Sequence, residues 1–496
     1  MISVVLVSTY ELGRQPFGIA SPAAWLREEG ASVSVLDLSR DSFQEEPFRN
    51  VDMVAFYVPM HTATRLASKL MSRVQAVNPT AHFCFFGLYA SVNEVYLRKL
   101  GAKTILGGEF EEGLVSLARR LDREKGTDRQ SLSLPKGPEP QMGTTAQHEP
   151  LVQISQAEPL ISLARLQFKV PDRRGLPSLE KYARLLVNGE TRVVGYTEAT
   201  RGCKHTCRHC PIVPVYEGNF RVVQQDIVLE DIRRQVEAGA QHITFGDPDF
   251  FNGPSHAVRI VTALHREFPA LTYDVTIKVQ HLVKEAEYLP VLRDTGCLFV
   301  TSAVESIDPI ILEAFDKRHT REEFAHVVRM FQKIGLSLNP TFVTFTPWTT
   351  LVNYLDLLTV IADLDLIESV SPIQYAIRLL IPTGSKLLDL EEVRNLVGPF
   401  SEEALSYPWA HRDPMVDELH KKILAGVEAA QASKASRREI FAKVWRLATS
   451  ALECSTMQKL GVADGAGRDG KDGMSDNLAA LTERKEAPHL SENWYC

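Results

Sequence analysis

Val193-Val194-Gly195-Tyr196-Thr197-Glu198-Ala199-Thr200-Arg201-Gly202-Cys203-Lys204-His205-Thr206-Cys207-Arg208-His209-Cys210-Pro211 reads as a β-branched strand, Val193 to Ala199, that runs into a loop with three cysteines. Spacings of four and three on a loop let three thiolates converge on one face of an iron-sulfur cube, leaving a fourth iron without a protein ligand and free to take a substrate. The alternative is zinc in a non-enzymatic metal-binding or scaffold protein. Structural zinc is normally closed by four ligands, and the fourth here would be His205 or His209 inside a tight loop. Zinc spacing more often forms two separated pairs, which favours the iron-sulfur reading.

Working outward, further strands are expected at His242 to Phe245, Tyr273 to Val279, Leu298 to Val304, Leu338 to Phe345 and Ser371 to Leu380. Helical patterns lie between them, at Val228 to Ala238, Ser255 to Phe268, Leu282 to Thr295, Arg321 to Gly335 and Leu351 to Leu364. Six βα units point to a partial parallel barrel over 159–390, with its active face at the carboxyl ends of the strands. Upstream, short β-branched runs at Ile2 to Ser8, Ser32 to Leu38, Met53 to Pro59, His82 to Gly87 and Thr104 to Gly108 alternate with helical stretches. That is the pattern of a doubly wound α/β sheet, placed at 1–121. Residues 122–158 are rich in Pro, Gly, Ser and charge and read as a flexible linker. A helical region is expected at 391–454, and a glycine-rich, mobile tail at 455–496.

The C-x3-C-x2-C loop after the first strand of such a barrel resembles the radical S-adenosylmethionine (SAM) superfamily, over about residues 190 to 390. The resemblance implies that Cys203, Cys207 and Cys210 hold a [4Fe-4S] cluster. It further implies that SAM chelates the open iron and is reductively cleaved to start radical chemistry on a substrate, with electrons from a low-potential donor such as flavodoxin or ferredoxin. His209 stands where the family often has an aromatic residue. Phe245-Gly246-Asp247-Pro248-Asp249 takes the place of the family's Gly-Gly-Glu-Pro motif, so Asp247, then Asp249, is the expected SAM contact; the plain reading is a turn. Ser302, Glu305 and Ser306 resemble the family's contacts to SAM polar groups, against a plain reading in which Ser306 caps a helix. Lys278 and Gln280 close the third strand and Arg378 lies late in the sixth; Lys278 or Arg378 is a candidate buried cation facing a carboxylate, although a lone basic residue near a strand end is more often a solvated rim charge.

A flavodoxin-like domain ahead of such a barrel resembles the cobalamin-binding branch of the superfamily. In Ser8-Thr9-Tyr10-Glu11-Leu12-Gly13 the glycine of D-x-H-x-x-G survives as Gly13, while Tyr10 replaces the cobalt-ligating His. Gly108, in Gly107-Gly108-Glu109, resembles the loop that contacts the cobalamin tail, and the stretch equally suits a plain strand-to-helix turn. The resemblance thus implies cobalamin bound without a protein ligand to cobalt, in support of methyl transfer, or a scaffold turned to another use. Cys84 is the single cysteine of this domain, which sets aside the methylthiotransferase branch with its second cluster. The Gln15-Pro16-Phe17-Gly18 and Tyr57-Val58-Pro59-Met60-His61 stretches resemble a radical SAM group ending in Cys-Cys-Ala-Glu-Pro or Cys-selenocysteine-Ala-Glu-Pro. On that resemblance, Cys496 would be followed by a UGA codon read as selenocysteine.

Composition bounds the rest. The chain has 496 residues, 44% hydrophobic and 24% charged, with 55 Lys plus Arg against 62 Asp plus Glu for a net charge of -7. That balance gives no electrostatic case for nucleic acid, and no run approaches the roughly 18 apolar residues of a membrane helix. Seven cysteines, three of them within eight residues, suit a reducing compartment, expected to be the cytoplasm.

Overall fold

In the computed structural model, which describes residues 1–131, 156–459 and 487–492, Ser3–Ser8 forms the first strand, β1. It is flanked by β2 (Ser32–Asp37) and β3 (Met53–Tyr57), followed by β4 (His82–Phe86), β5 (Thr104–Gly108) and β6 (Ile161–Ser162). The six strands are parallel, in the order β2-β1-β3-β4-β5-β6. Central strands covered by helices on both faces must be apolar throughout, and Met53 to Tyr57 are all buried. Apolar cores lie on the two sides of the sheet, one around Val4, Leu6 and Phe86, the other around Val5, Phe56 and Phe85.

The chain divides into two units, Met1–Pro177 and Ser178–Cys496. The boundary therefore lies beyond the expected 122–158 linker. The helix Glu111–Ser131 runs into that stretch. From Gln156 the chain rejoins the first sheet: the Gln156 carboxamide bonds both the N–H and the C=O of Ile105 at 2.9 Å, and Glu158 pairs with Arg120 at 3.0 Å. Ile161–Ser162, within the range 159–390 assigned from sequence to the barrel domain, is instead the edge strand of the first unit. Residues 132–155 of the expected linker lie outside the described residues.

The second unit begins with an antiparallel pair, β7 (Arg184–Val187) and β8 (Glu190–Thr197). A small hairpin, β9 (Thr200–Gly202) with β10 (Phe220–Val222), brackets the cysteine loop. Then β11 (His242–Phe245), β12 (Thr272–Thr276), β13 (Cys297–Glu305) and β14 (Ser337–Phe342) continue parallel to β8, and β15 (His489–Leu490) closes the order β14-β13-β12-β11-β8-β7-β15. The intervening helices start with sound caps: Thr320 and Glu323 form a reciprocal capping box before Arg321–Ile334, as do Thr350 and Asn353 before Leu351–Asp363.

The sixth barrel strand expected at Ser371 to Leu380 is a 3-10 turn, Pro372–Ala376, with one bridge between Phe345 and Arg378. Pro372 fixes φ and removes a donor, which starts a helical turn and denies the ladder a hydrogen bond. Five parallel strands, β8 and β11 to β14, thus make up the partial barrel. Helices Pro414–Ala432 and Arg437–Lys459 follow. The expected tail is partly ordered: the second of these helices covers its first residues, and β15 pairs antiparallel with β7, with Asn339 of β14 donating to the Pro488 carbonyl at 2.9 Å. Residues 487–492 thereby touch both edges of the curled sheet. Residues 460–486 and Cys496, with the selenocysteine reading attached to it, lie outside the described residues. Among the described residues no helix is long and apolar enough to cross a membrane.

Candidate active site

The cysteine loop begins where β9 ends, at Gly202. Its φ is +74°, and a Cβ there would stand 2.3 Å from the Tyr216 ring and 2.7 Å from the Asn219 carbonyl, so only glycine fits. Cys203 and Cys207 are buried and Cys210 is half-buried; none is in a disulfide. The loop is tied down on several sides. The Arg208 N–H donates to the Phe315 carbonyl at 2.9 Å, and its guanidinium to the Glu313 and Ala314 carbonyls. Asn252 donates to the Gly202 carbonyl at 3.0 Å and accepts from the Lys204 N–H at 3.2 Å.

Asp247 follows β11 and is 1% exposed. Its carboxylate accepts from the Ala199 N–H at 3.0 Å and the Thr200 hydroxyl at 2.6 Å, which fixes the chain just ahead of Cys203. Burial pushes its carboxyl up to about 7, against those two bonds. Asp249 is fully buried; it accepts from the Phe251 N–H at 3.1 Å and meets His281 Nδ1 at 2.6 Å and His205 Nε2 at 3.3 Å. Burial pushes that carboxyl up, but the two imidazoles outweigh it and hold it below the ordinary range. Both aspartates expected to bind SAM are thus engaged by the protein itself as braces of the cysteine loop.

Glu305 ends β13 in the left-handed region at φ 66°, beside a register shift that re-aims the strand. Its carboxylate sits 3.2 Å from His209 Nε2 and 3.4 Å from Lys317 Nζ. Burial opposes its ionisation, yet Lys317 and His209 hold it down at about 2. His209 stacks on Phe315 with ring centres 4.4 Å apart. Ser302 is fully buried, and its hydroxyl has no partner among the described residues. Ser306 accepts from the Asp308 N–H at 3.1 Å, while Asp308 caps the helix Pro309–Ala314; the expected cap falls two residues later than Ser306.

Of the two cations weighed as rim charges or as buried partners of a carboxylate, Arg378 faces a carboxylate and Lys278 a thiol. Lys278 is no rim charge: it is 6% exposed, and its Nζ lies 3.0 Å from Cys207 Sγ. Arg378 is half-buried, stacked on Trp409 at 3.6 Å and paired with Asp417 at 2.7 Å. Sequence reasoning also passed over His281, Lys317 and His319. His319 is buried, and burial, with Lys317 and Lys278 nearby, pulls its imidazole down to about 3. The signal available was the spacing Lys278-Val279-Gln280-His281 after a buried strand, which brings both polar heads to the carboxyl end of the barrel. Cys203 is pushed up to about 12 by burial, with the charges of Asp249 and Cys210 adding to it, so its thiol stays protonated unless a metal binds the sulfur and the proton leaves to a base in solution. Ligand atoms of Cys203, His205 and Asp249 lie within 4.8 Å of one another.

In the first unit, Gly13 (φ 69°) is buried and Tyr10 half-buried. Thr9 Oγ1 donates to the Ala63 carbonyl at 2.9 Å. Gly108 (φ 68°) lies against the unit's own β6: a Cβ there would stand 2.2 Å from the Ser162 carbonyl. The close approach that requires glycine here is to the unit's own β6. At the strand ends Tyr57 packs on Phe86 and Phe110, and against Gly18 so closely that a Cβ would enter its ring. The β1 loop offers no histidine.

Residues 197–357 match the Radical SAM superfamily. The hopanoid C-3 methylase of Methylococcus capsulatus is 25% identical over 170 residues, 34% of this chain and 32% of that protein, so the match spans about a third of the relative's length. Two solved structures share the fold. The cobalamin-dependent SAM radical enzyme OxsB, with aqua-cobalamin and SAM bound, superposes with a TM-score of 0.68 at 14% identity, over 97% of this chain and 75% of that one. The radical SAM methyltransferase TsrM from Kitasatospora setae, with tryptophan substrate and a SAM analogue, gives 0.61 at 16% identity, over 90% and 89%. The stretch 197–357, which carries Cys203, Cys207 and Cys210 at the carboxyl end of a partial barrel, is a domain of the radical SAM superfamily.

Proposed function

We propose that the protein is an enzyme that reductively cleaves SAM at a [4Fe-4S] cluster held by Cys203, Cys207 and Cys210, and uses the radical so formed on a substrate. The observation that carries this is a three-thiol loop braced from every side, with Lys278 set against Cys207 Sγ, at the strand ends where the family match falls. When bound, such a cluster supplies one electron to the SAM sulfonium, which splits to methionine and a 5′-deoxyadenosyl radical. The chain's own part is to hold and shield. Asp247 and Asn252 fix the entry to the loop, Arg208 ties its middle to Phe315, and Asp249 sits between His205 of the loop and His281. Ser302, Glu305 and Ser306 are the groups proposed to contact SAM, Ser302 because its buried hydroxyl awaits a partner. The electron donor is of the flavodoxin or ferredoxin class, and the reducing cytoplasm suits the free thiols.

The finer reading is a cobalamin-assisted methyl transfer. It is supported by the likeness to OxsB and TsrM and to a methylase. The β1 loop of the first unit offers no histidine to ligate cobalt. A second reading, a zinc site, is favoured by one observation: Cys203, His205 and Asp249 can meet on a single ion.

Anaerobic protein, analysed for iron, sulfide and zinc and then incubated with dithionite and SAM, separates these readings. Iron and sulfide with 5′-deoxyadenosine, lost in Cys207→Ala, support SAM cleavage; S-adenosylhomocysteine beside it adds methyl transfer. Stoichiometric zinc with no cleavage overturns the proposal.

A further inference from the structure

Lys278 follows β12 and opens the short helix Val279–Lys284. Its backbone is held on both sides, with the Ile277 N–H on the Thr301 carbonyl at 2.9 Å and the Lys278 carbonyl accepting from Leu282 N–H at 3.0 Å. The side chain is largely shielded from water: the residue is 6% exposed. The nearby charges are otherwise matched, Glu305 by His209 and Lys317, Asp249 by His281 and His205. Lys278 differs. Among the described residues no carboxylate lies within ion-pair distance of it, and its hydrogen-bond acceptor is Cys207 Sγ at 3.0 Å.

A buried ammonium left without a counter-charge is costly, so a neutral thiol is a poor partner for it and a thiolate a good one. We infer that Lys278 sets the reduction potential of the cluster on Cys203, Cys207 and Cys210, by placing a fixed positive charge and an N–H···S bond at the Cys207 sulfur. The inference rests on the cluster reading above and adds a positioning residue to it. The step concerned moves one electron from a low-potential one-electron donor to the oxidised cluster; the donor is oxidised and the cluster gains one unit of negative charge. Net charge and hydrogen bonds to sulfur are among the terms that set such potentials. A cation in contact with the sulfur stabilises the more negative, reduced form and so raises the potential, which lowers the demand on the donor.

The test uses the full chain, reconstituted anaerobically with iron and sulfide, as wild type, Lys278→Met, Lys278→Gln and Lys278→Arg. Each is poised over a series of solution potentials without SAM, and the reduced cluster is counted by EPR. At the potential where half of the wild-type cluster is reduced, the reduced-to-oxidised ratio in Lys278→Met is expected to fall at least tenfold, which is 59 mV for one electron. Lys278→Arg, which keeps the charge, should stay within about threefold, and Lys278→Gln, which keeps a donor alone, should fall between. Coincident titrations of wild type and Lys278→Met overturn the inference. So does loss of the cluster in both neutral variants with retention in Lys278→Arg, because Lys278 would then hold the loop and not tune it. A wild type that takes no cluster sinks the underlying proposal instead.

Discussion

Replacing Asp247 by asparagine tests the brace ahead of Cys203 through its pH dependence. Burial raises the Asp247 carboxyl from 3.8 to about 7 in the fold. A folded-state value above the unfolded one means that the native protein binds the extra proton between those limits, so stability falls as pH rises from about 4 to 7. The displacement corresponds to roughly 4 kcal/mol at most, at 1.36 kcal/mol per tenfold change in proton affinity. Asparagine does not ionise. Its oxygen can still accept from Ala199 N–H and its amide can donate to the Thr200 hydroxyl, at a cost of about 1 kcal/mol for the altered bonds. At pH 4 the variant should therefore melt slightly below wild type, and at pH 8 above it. For a unit of this size each kcal/mol is worth roughly 2–4 °C, so the difference swings by several degrees. Scanning calorimetry of the cluster-free protein at the two pH values reads it. A difference that stays constant with pH, or moves against the variant as pH rises, refutes the account of Asp247.

Lys317→Met removes the ammonium from Glu305 and the Ala303 carbonyl and leaves a buried carboxylate with His209 alone; a loss of roughly 3–5 kcal/mol is expected by calorimetry, and an unchanged melting temperature would contradict it. Gly18→Ala puts a methyl into the Tyr57 ring and should cost roughly 1–3 kcal/mol, with a Tyr57→Ala background relieving most of it; additive losses would show that the two do not meet. Deleting residues 487–496 strips β15 from β7, so amide hydrogen exchange at Leu185 and Leu186 should quicken while β11 and β12 keep their protection. Unchanged exchange at β7 would mean that β15 does not cover that edge in solution.

The cysteine loop was legible because thiolate spacing along one loop is a local property, and the strand before it announces itself by β-branched residues. The two-unit order followed from alternating periodicity. The false sixth strand came from reading the apolar run at Ile373 to Leu380 as periodic while Ser371-Pro372 began a turn. β6 and β15 are two-residue strands, held by partners more than 50 and 300 residues away in sequence, and no local pattern reports such pairing. Lys278 was misjudged for the same reason. Its burial depends on β12, the helix after it and the loop around Cys207 closing together, and a lysine near a strand end is otherwise most often solvated. Asp247 and Asp249 were found by motif, yet their partners Ala199, Thr200, His205 and His281 come from three other segments.

The central claim is that three cysteines of this chain hold a four-iron cluster with one iron open to SAM. Mössbauer spectroscopy of 57Fe-reconstituted protein before and after SAM addition tests it most directly. The account predicts four tetrahedral irons without SAM, and with SAM a new, shifted doublet from one iron in four while the other three stay unchanged. A spectrum indifferent to SAM, or a protein that takes up zinc and no iron-sulfur cluster, would contradict it.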